Sequence, residues 1–191
     1  MERENRFSAR RLALLGMMAA LVFAGNFARV VMPIAIAGRT SFTLANIFCC
    51  LSGLLLGPMG GLASGLGSAL YDLTNPLYAA ECWITFLTKG AMGLFAGLAV
   101  RGALERDELT YPRGLTGSAV GCAAYYILYF TKVFAYDGLL LGGLPAGAAA
   151  AMIPLKVPAS LFNGAVAILA APPLALAIRA ALRRSGVSRS F

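Results

Sequence analysis

The 191-residue chain has no histidine, only three lysines and a single tryptophan. Only 13% of its residues are charged, about half the share usual in soluble domains. Each shortage excludes a class of function. Without histidine there is no His-based general acid–base pair, no serine-protease type of triad and no His-containing zinc site. No G-x-x-x-x-G-K-[ST] segment occurs, which removes ATP binding by a P-loop. Cys49, Cys50, Cys82 and Cys122 form no C-x-x-C pair, so they read as small apolar packing residues. No metal and no cofactor is expected.

What the chain has is apolar sequence: 59% of it, in runs that approach or exceed the ~20 residues needed to cross a bilayer. Bounded by charge, Pro and Gly, six candidate spans cover about 11–33, 43–57, 60–73, 83–103, 114–136 and 154–181. The expected fold is an all-α integral membrane protein. It forms one domain over residues 1–191, with six transmembrane helices and short tails at about 1–10 and 182–191. The start, ARRLALLGMMAALVFAG, has basic residues ahead of an apolar core, as a signal peptide does. The apolar run continues past Gly25, however, which favours an uncleaved first helix.

The second and third spans are short, about 20–23 Å at 1.5 Å per residue. Between them lies GLLLGPMGG, an apolar turn with no polar side chain. Proline disfavours the helical conformation of its predecessor and cannot donate a backbone hydrogen bond, so Gly57-Pro58 ends one helix. Gly60 and Gly61 let the chain reverse. The third helix then sets Gly61, Gly65 and Ala69 four apart, and Gly60, Ser64 and Ser68 likewise. Rows of small residues let membrane helices approach closely.

Charge orients the chain. Eleven of its 16 basic residues are Arg3, Arg6, Arg10, Arg11, Arg101, Arg106, Arg113, Arg179, Arg183, Arg184 and Arg189. With six spans they share one side with both termini, which the positive-inside rule makes cytoplasmic. Arg29, Arg39, Lys89, Lys132 and Lys156 fall in the outer half with Asp72, Glu81 and Asp137. All three lysines thus face outward, against the usual bias.

Around the lysines the outer half carries stripes. Tyr125, Tyr129, Lys132 and Tyr136 share one helical face of the fifth span, and Lys156, Ser160 and Asn163 one face of the sixth. Glu81, Thr85, Thr88 and Met92 line up on the fourth, with Lys89 one step round. An interfacial belt with snorkelling lysines explains Tyr136 but not Tyr125 or Asn163, which lie turns further in. A cavity open to the outside, suited to a planar polar ligand, explains both. Asn46 joins the candidate lining residues. In YDLTNPLYAAECW, residues 71–83, the side chains of Asp72, Asn75, Tyr78, Glu81 and Trp83 are candidates for a lid. In the first span Gly16, Ala20, Ala24 and Ala28 repeat every four residues. That row could pack inside the protein or present a flat face to another membrane protein.

The length, the six spans and the stretch FTLANIFCCLSGLLLGPMGGLASGLGSALYDL (42–73) together resemble the substrate-binding S components of energy-coupling factor (ECF) vitamin transporters. The resemblance covers about residues 9 to 182. It implies an S-component bundle in the plasma membrane of a bacterium, binding a vitamin-like micronutrient from outside. It also implies partners: a transmembrane scaffold (T) subunit and two cytoplasmic ATPase subunits, which supply the energy this chain cannot. Many family members carry an A-x-x-x-A motif on the first helix that contacts the scaffold. Ala20-Leu21-Val22-Phe23-Ala24 matches it, so that role passes to Ala20 and Ala24, with Gly16 one step earlier. The substrate does not carry over. Lysines beside tyrosines point to a ring bearing a carboxylate, such as folate, or to a pantothenate-like acid, with riboflavin open. A stand-alone facilitator or channel is the alternative. A membrane enzyme acting on lipid or prenyl groups fits less well, because the cytoplasmic acids Glu2, Glu4, Glu105, Asp107 and Glu108 occupy tail and loop positions.

Overall fold

The computed structural model describes residues 9–31, 41–76 and 78–184. Arg3, Arg6, Arg39, Arg189, Glu2 and Glu4 lie outside them. The described residues form six α-helices and one two-stranded ribbon.

Helix α1, Ala9–Phe27, is shorter than the 11–33 expected for the first span. Asn26 turns its side-chain amide back to the Val22 carbonyl (2.9 Å), and the chain then leaves the helix. Strand β1, Arg29–Val31, pairs antiparallel with β2, Ser41–Thr43, with Arg29 opposite Thr43. Extended ladder pairing replaces helical bonding because the Arg-Val-Val run favours strand geometry.

Helix α2, Ala45–Leu56, and helix α3, Gly60–Leu73, are joined by the 3₁₀ turn Gly57–Met59. Gly57 has φ +63°, a conformation glycine adopts without strain. The two helices fold back on each other: the Ser52 and Ser64 hydroxyls are 2.6 Å apart and each lies 2.9 Å from the Gly60 carbonyl oxygen. In one straight helix these residues would stand ~18 Å apart. The apolar turn is held by helix α4, Cys82–Glu105. A Cβ on Gly97 would stand 2.1 Å from the Gly57 carbonyl group, and one on Gly53 2.4 Å from the Gly93 carbonyl oxygen. On its α4 side the turn meets protein backbone rather than water, and Gly57 is buried there, so no polar side chain is needed.

Helix α5, Tyr111–Thr131, continues into a π-helical segment, Lys132–Leu141. Helix α6, Ala146–Arg184, starts eight residues before the expected 154 and runs through Pro154, Pro158, Pro172 and Pro173. Prolines are tolerated in membrane helices where neighbouring groups satisfy the freed backbone. Among the described residues, four stretches are long and apolar enough to cross a bilayer: Ala45–Leu73, Ala79–Glu105, Tyr111–Leu141 and Ala146–Arg184. The first of these is the α2–α3 hairpin, doubled back on itself. Helix α4 lies at the centre, packed against α2, α3 and α5. The buried core includes Leu51, Leu54, Met92 and Val100, with Cys49, Cys50 and Cys122 among them as small apolar side chains.

Candidate functional site

Where the α4 N-terminus, the α5 C-terminus and the first half of α6 meet, the helices enclose a cavity of about 230 Å³. This is somewhat below the ~300–1,000 Å³ usual for small-molecule pockets.

The inner end is polar and buried. Lys89 is only 8% exposed and donates to the Asn46 side-chain oxygen. Its ammonium also stands 4.4 Å from the Tyr125 ring centroid, a cation–π arrangement. Asp72, at the end of α3, is buried on the same cavity lining. A lysine this deep is costly unless compensated, and the Asn46 hydrogen bond and the Tyr125 ring offset part of that cost. Asn163 accepts from the Thr43 backbone N–H (3.2 Å), which ties α6 to the ribbon.

The wall is aromatic. Tyr125 and Tyr129 stack 5.6 Å apart with 20° between their planes. Tyr126, tilted against Tyr125, donates its hydroxyl to the Ser160 carbonyl of α6. The mouth is ionic. Lys132 lies 2.8 Å from Glu81 and 2.7 Å from Asp137, and Asp137 in turn is 4.0 Å from Lys156.

Of the residues expected to bind ligand, Asn46, Asp72, Tyr78, Glu81, Thr85, Lys89, Tyr125, Tyr129, Lys132, Lys156 and Asn163 all line this cavity. Two do not. Asn75 serves the α3–α4 turn, its carbonyl accepting from Tyr78 and Ala79 (2.9 and 3.0 Å). Trp83 is 56% exposed and meets Tyr136 edge-on at 6.2 Å. The α-helical period that put Tyr136 on the cavity face ends at Thr131, and the π-helical turns carry Tyr136 out to Trp83.

Asn26, Thr43 and Tyr126 also line the cavity and were not anticipated as site residues. Asn26 had a legible signal, as a polar residue inside an apolar span. Tyr126 had none, being one step off the stripe of Tyr125. The lysines are not bare cations either: Lys132 and Lys156 are met by Glu81 and Asp137, and Lys89 by Asn46 and the Tyr125 ring.

Gly16, Ala20 and Ala24 of α1 face outward, and a Cβ on Gly16 would meet nothing within 4 Å. The row is therefore open to lipid or to another membrane protein.

A membrane helical bundle with a buried polar cavity near one end is built to hold a small polar molecule. Consistent with that class, a family model described as ECF-type riboflavin transporter, S component, matches residues 6–180. The chain belongs to this family. Comparison with individually curated proteins finds none that matches it. The family is one of transporter subunits rather than enzymes, so the chain is a membrane-embedded, substrate-binding component for vitamin uptake.

Proposed function

We propose that this chain captures riboflavin from outside the cell and delivers it inward as part of an ECF-type importer. In this reading it is a single domain of six transmembrane helices, with both termini cytoplasmic, in the plasma membrane of a bacterium. Its partners are a T scaffold subunit and two cytoplasmic ATPases. The observation that carries the substrate is the family match over residues 6–180, together with the character of the cavity.

A folate-like or pantothenate-like acid would need a net positive site. Here Glu81 and Asp137 pair with Lys132 and Lys156, and Asp72 on the same lining brings the acids to three against three lysines. An uncharged ring with a polyhydroxyl chain suits that balance better. The Tyr125–Tyr129 pair offers a stacking wall for the ring system. Asn46, Lys89 and Asn163 offer hydrogen bonds at the inner end, and the mouth leaves room for the chain.

Titration of riboflavin's own fluorescence with purified protein in detergent tests this. Saturable quenching at nanomolar to low micromolar concentrations is expected. A flat response from folded protein would refute the flavin reading. The partner proposal has its own test. Ala20→Leu or Ala24→Leu should reduce co-purification with the T subunit at least several-fold while leaving flavin binding intact. Undiminished co-purification of both variants would remove the α1 row from that interface.

A further inference from the structure

Asp137 does not line the cavity, yet it pairs with Lys132 and stands within ion-pair range of Lys156 at the mouth. It comes from the π-helical segment, reaches Lys132 at 2.7 Å with one carboxylate oxygen and approaches Lys156 on α6 at 4.0 Å with the other. Glu81 also meets Lys132, at 2.8 Å. The side chains of all four are between 16% and 24% exposed, so bulk water and salt screen them only in part. The result is an alternating row, Glu81, Lys132, Asp137, Lys156, with no net charge.

We infer that Asp137 determines specificity: by neutralising both mouth lysines it keeps the site selective for an uncharged ligand over its phosphorylated form. Without Asp137, two cations would face the opening with only Glu81 to balance them. A phosphate monoester on the end of a ligand's side arm would then find a site with the geometry and charge to hold it. With Asp137 in place, the same phosphate must displace a carboxylate already paired. This inference rests on the flavin reading above. It adds that the end of the ribityl chain, rather than the ring, lies at the mouth.

Riboflavin and riboflavin 5′-phosphate differ by that phosphate alone, so the ratio of their affinities reads the mouth directly. Wild type, Asp137→Asn and Asp137→Glu are titrated with both. In Asp137→Asn the ratio should move toward the phosphate ester by roughly tenfold or more, the scale of one unit charge at a few ångströms. The gain should shrink as salt is raised. Asp137→Glu should keep most of the wild-type preference. Glu81→Gln, which leaves Asp137 on both lysines, should shift the ratio in the same direction but less. An unchanged ratio in Asp137→Asn, with riboflavin still bound, overturns the role of Asp137. If no flavin binds any variant, the flavin reading falls, and thermal denaturation in millimolar inorganic phosphate decides the charge argument alone. Phosphate should then stabilise Asp137→Asn and not wild type, and equal shifts would overturn it.

Discussion

Both ends of this bundle carry ion pairs, made in different ways. At the arginine-rich end, Arg179 and Arg183 of α6 hold Asp107 at 2.5 and 2.9 Å, and Arg101–Glu105 and Arg113–Glu108 pair at 2.8 and 3.4 Å. Apart from Arg179, these side chains are about half exposed or more. At the lysine-rich end the pairs are largely covered and border a cavity. Exposed pairs are screened and contribute little, whereas covered ones are costly to break. The same chemistry thus serves as a clasp on one loop at one end and as the border of a cavity at the other.

The comparison breaks most completely if the scaffold between the two ends is overfilled. Gly97→Val would drive side-chain atoms into the Gly57 carbonyl group, costing at least ~1–3 kcal/mol. The yield of monodisperse protein and its Tm should both collapse. Wild-type values would mean the hairpin does not rest on α4.

Next in size is Lys89→Met. Riboflavin affinity should fall by roughly ten- to a hundredfold, the scale of a lost charged hydrogen bond. Tm should fall as well, because the buried Asn46 oxygen loses its donor. A lower Tm with intact binding would make Lys89 a structural residue only. Lys132→Met should cost both, since Glu81 and Asp137 lose their shared cation. We expect ~1–3 kcal/mol in stability, between the exposed and fully buried limits. A loss in only one measurement would separate the mouth from the site.

The smallest effect belongs to the arginine end. Asp107→Asn should change stability by no more than ~1 kcal/mol and leave riboflavin affinity unaltered. Its pH dependence follows from the clasp. The Arg179 hydrogen bond, joined by Arg183, lowers the Asp107 carboxyl below its ordinary range. A carboxylate shifted down stabilises the fold above its unfolded pKa, and that contribution is lost as pH falls through the folded value. Wild type and Asp107→Asn should therefore differ slightly in Tm near neutrality and converge below about pH 4. A difference that grows in acid would contradict this.

Much of the lysine end is legible in the sequence. Tyr125, Tyr129 and Lys132 recur at helical spacing in an apolar span, as do Lys156, Ser160 and Asn163, and helical geometry turns such spacing into a shared face. The hairpin at Gly57-Pro58 was legible too, because proline and glycine act through their own backbone limits. The exit of Tyr136 from the stripe was not. A π-helical turn depends on how α5 meets α6, and the local sequence still reads as α-helix.

The sequence by itself determined that the chain is a membrane protein, where it turns and which helix faces are polar, because hydropathy, backbone restriction and periodicity are local properties. Tertiary structure decided which charges meet. Lys132 finds one partner five residues on and another fifty-one residues back, and Lys89 finds its oxygen on α2. Whether a lysine stands as a free cation or a neutralised one depends on distances between helices that no spacing along the chain records. That difference separates a site for an acid from a site for an uncharged vitamin.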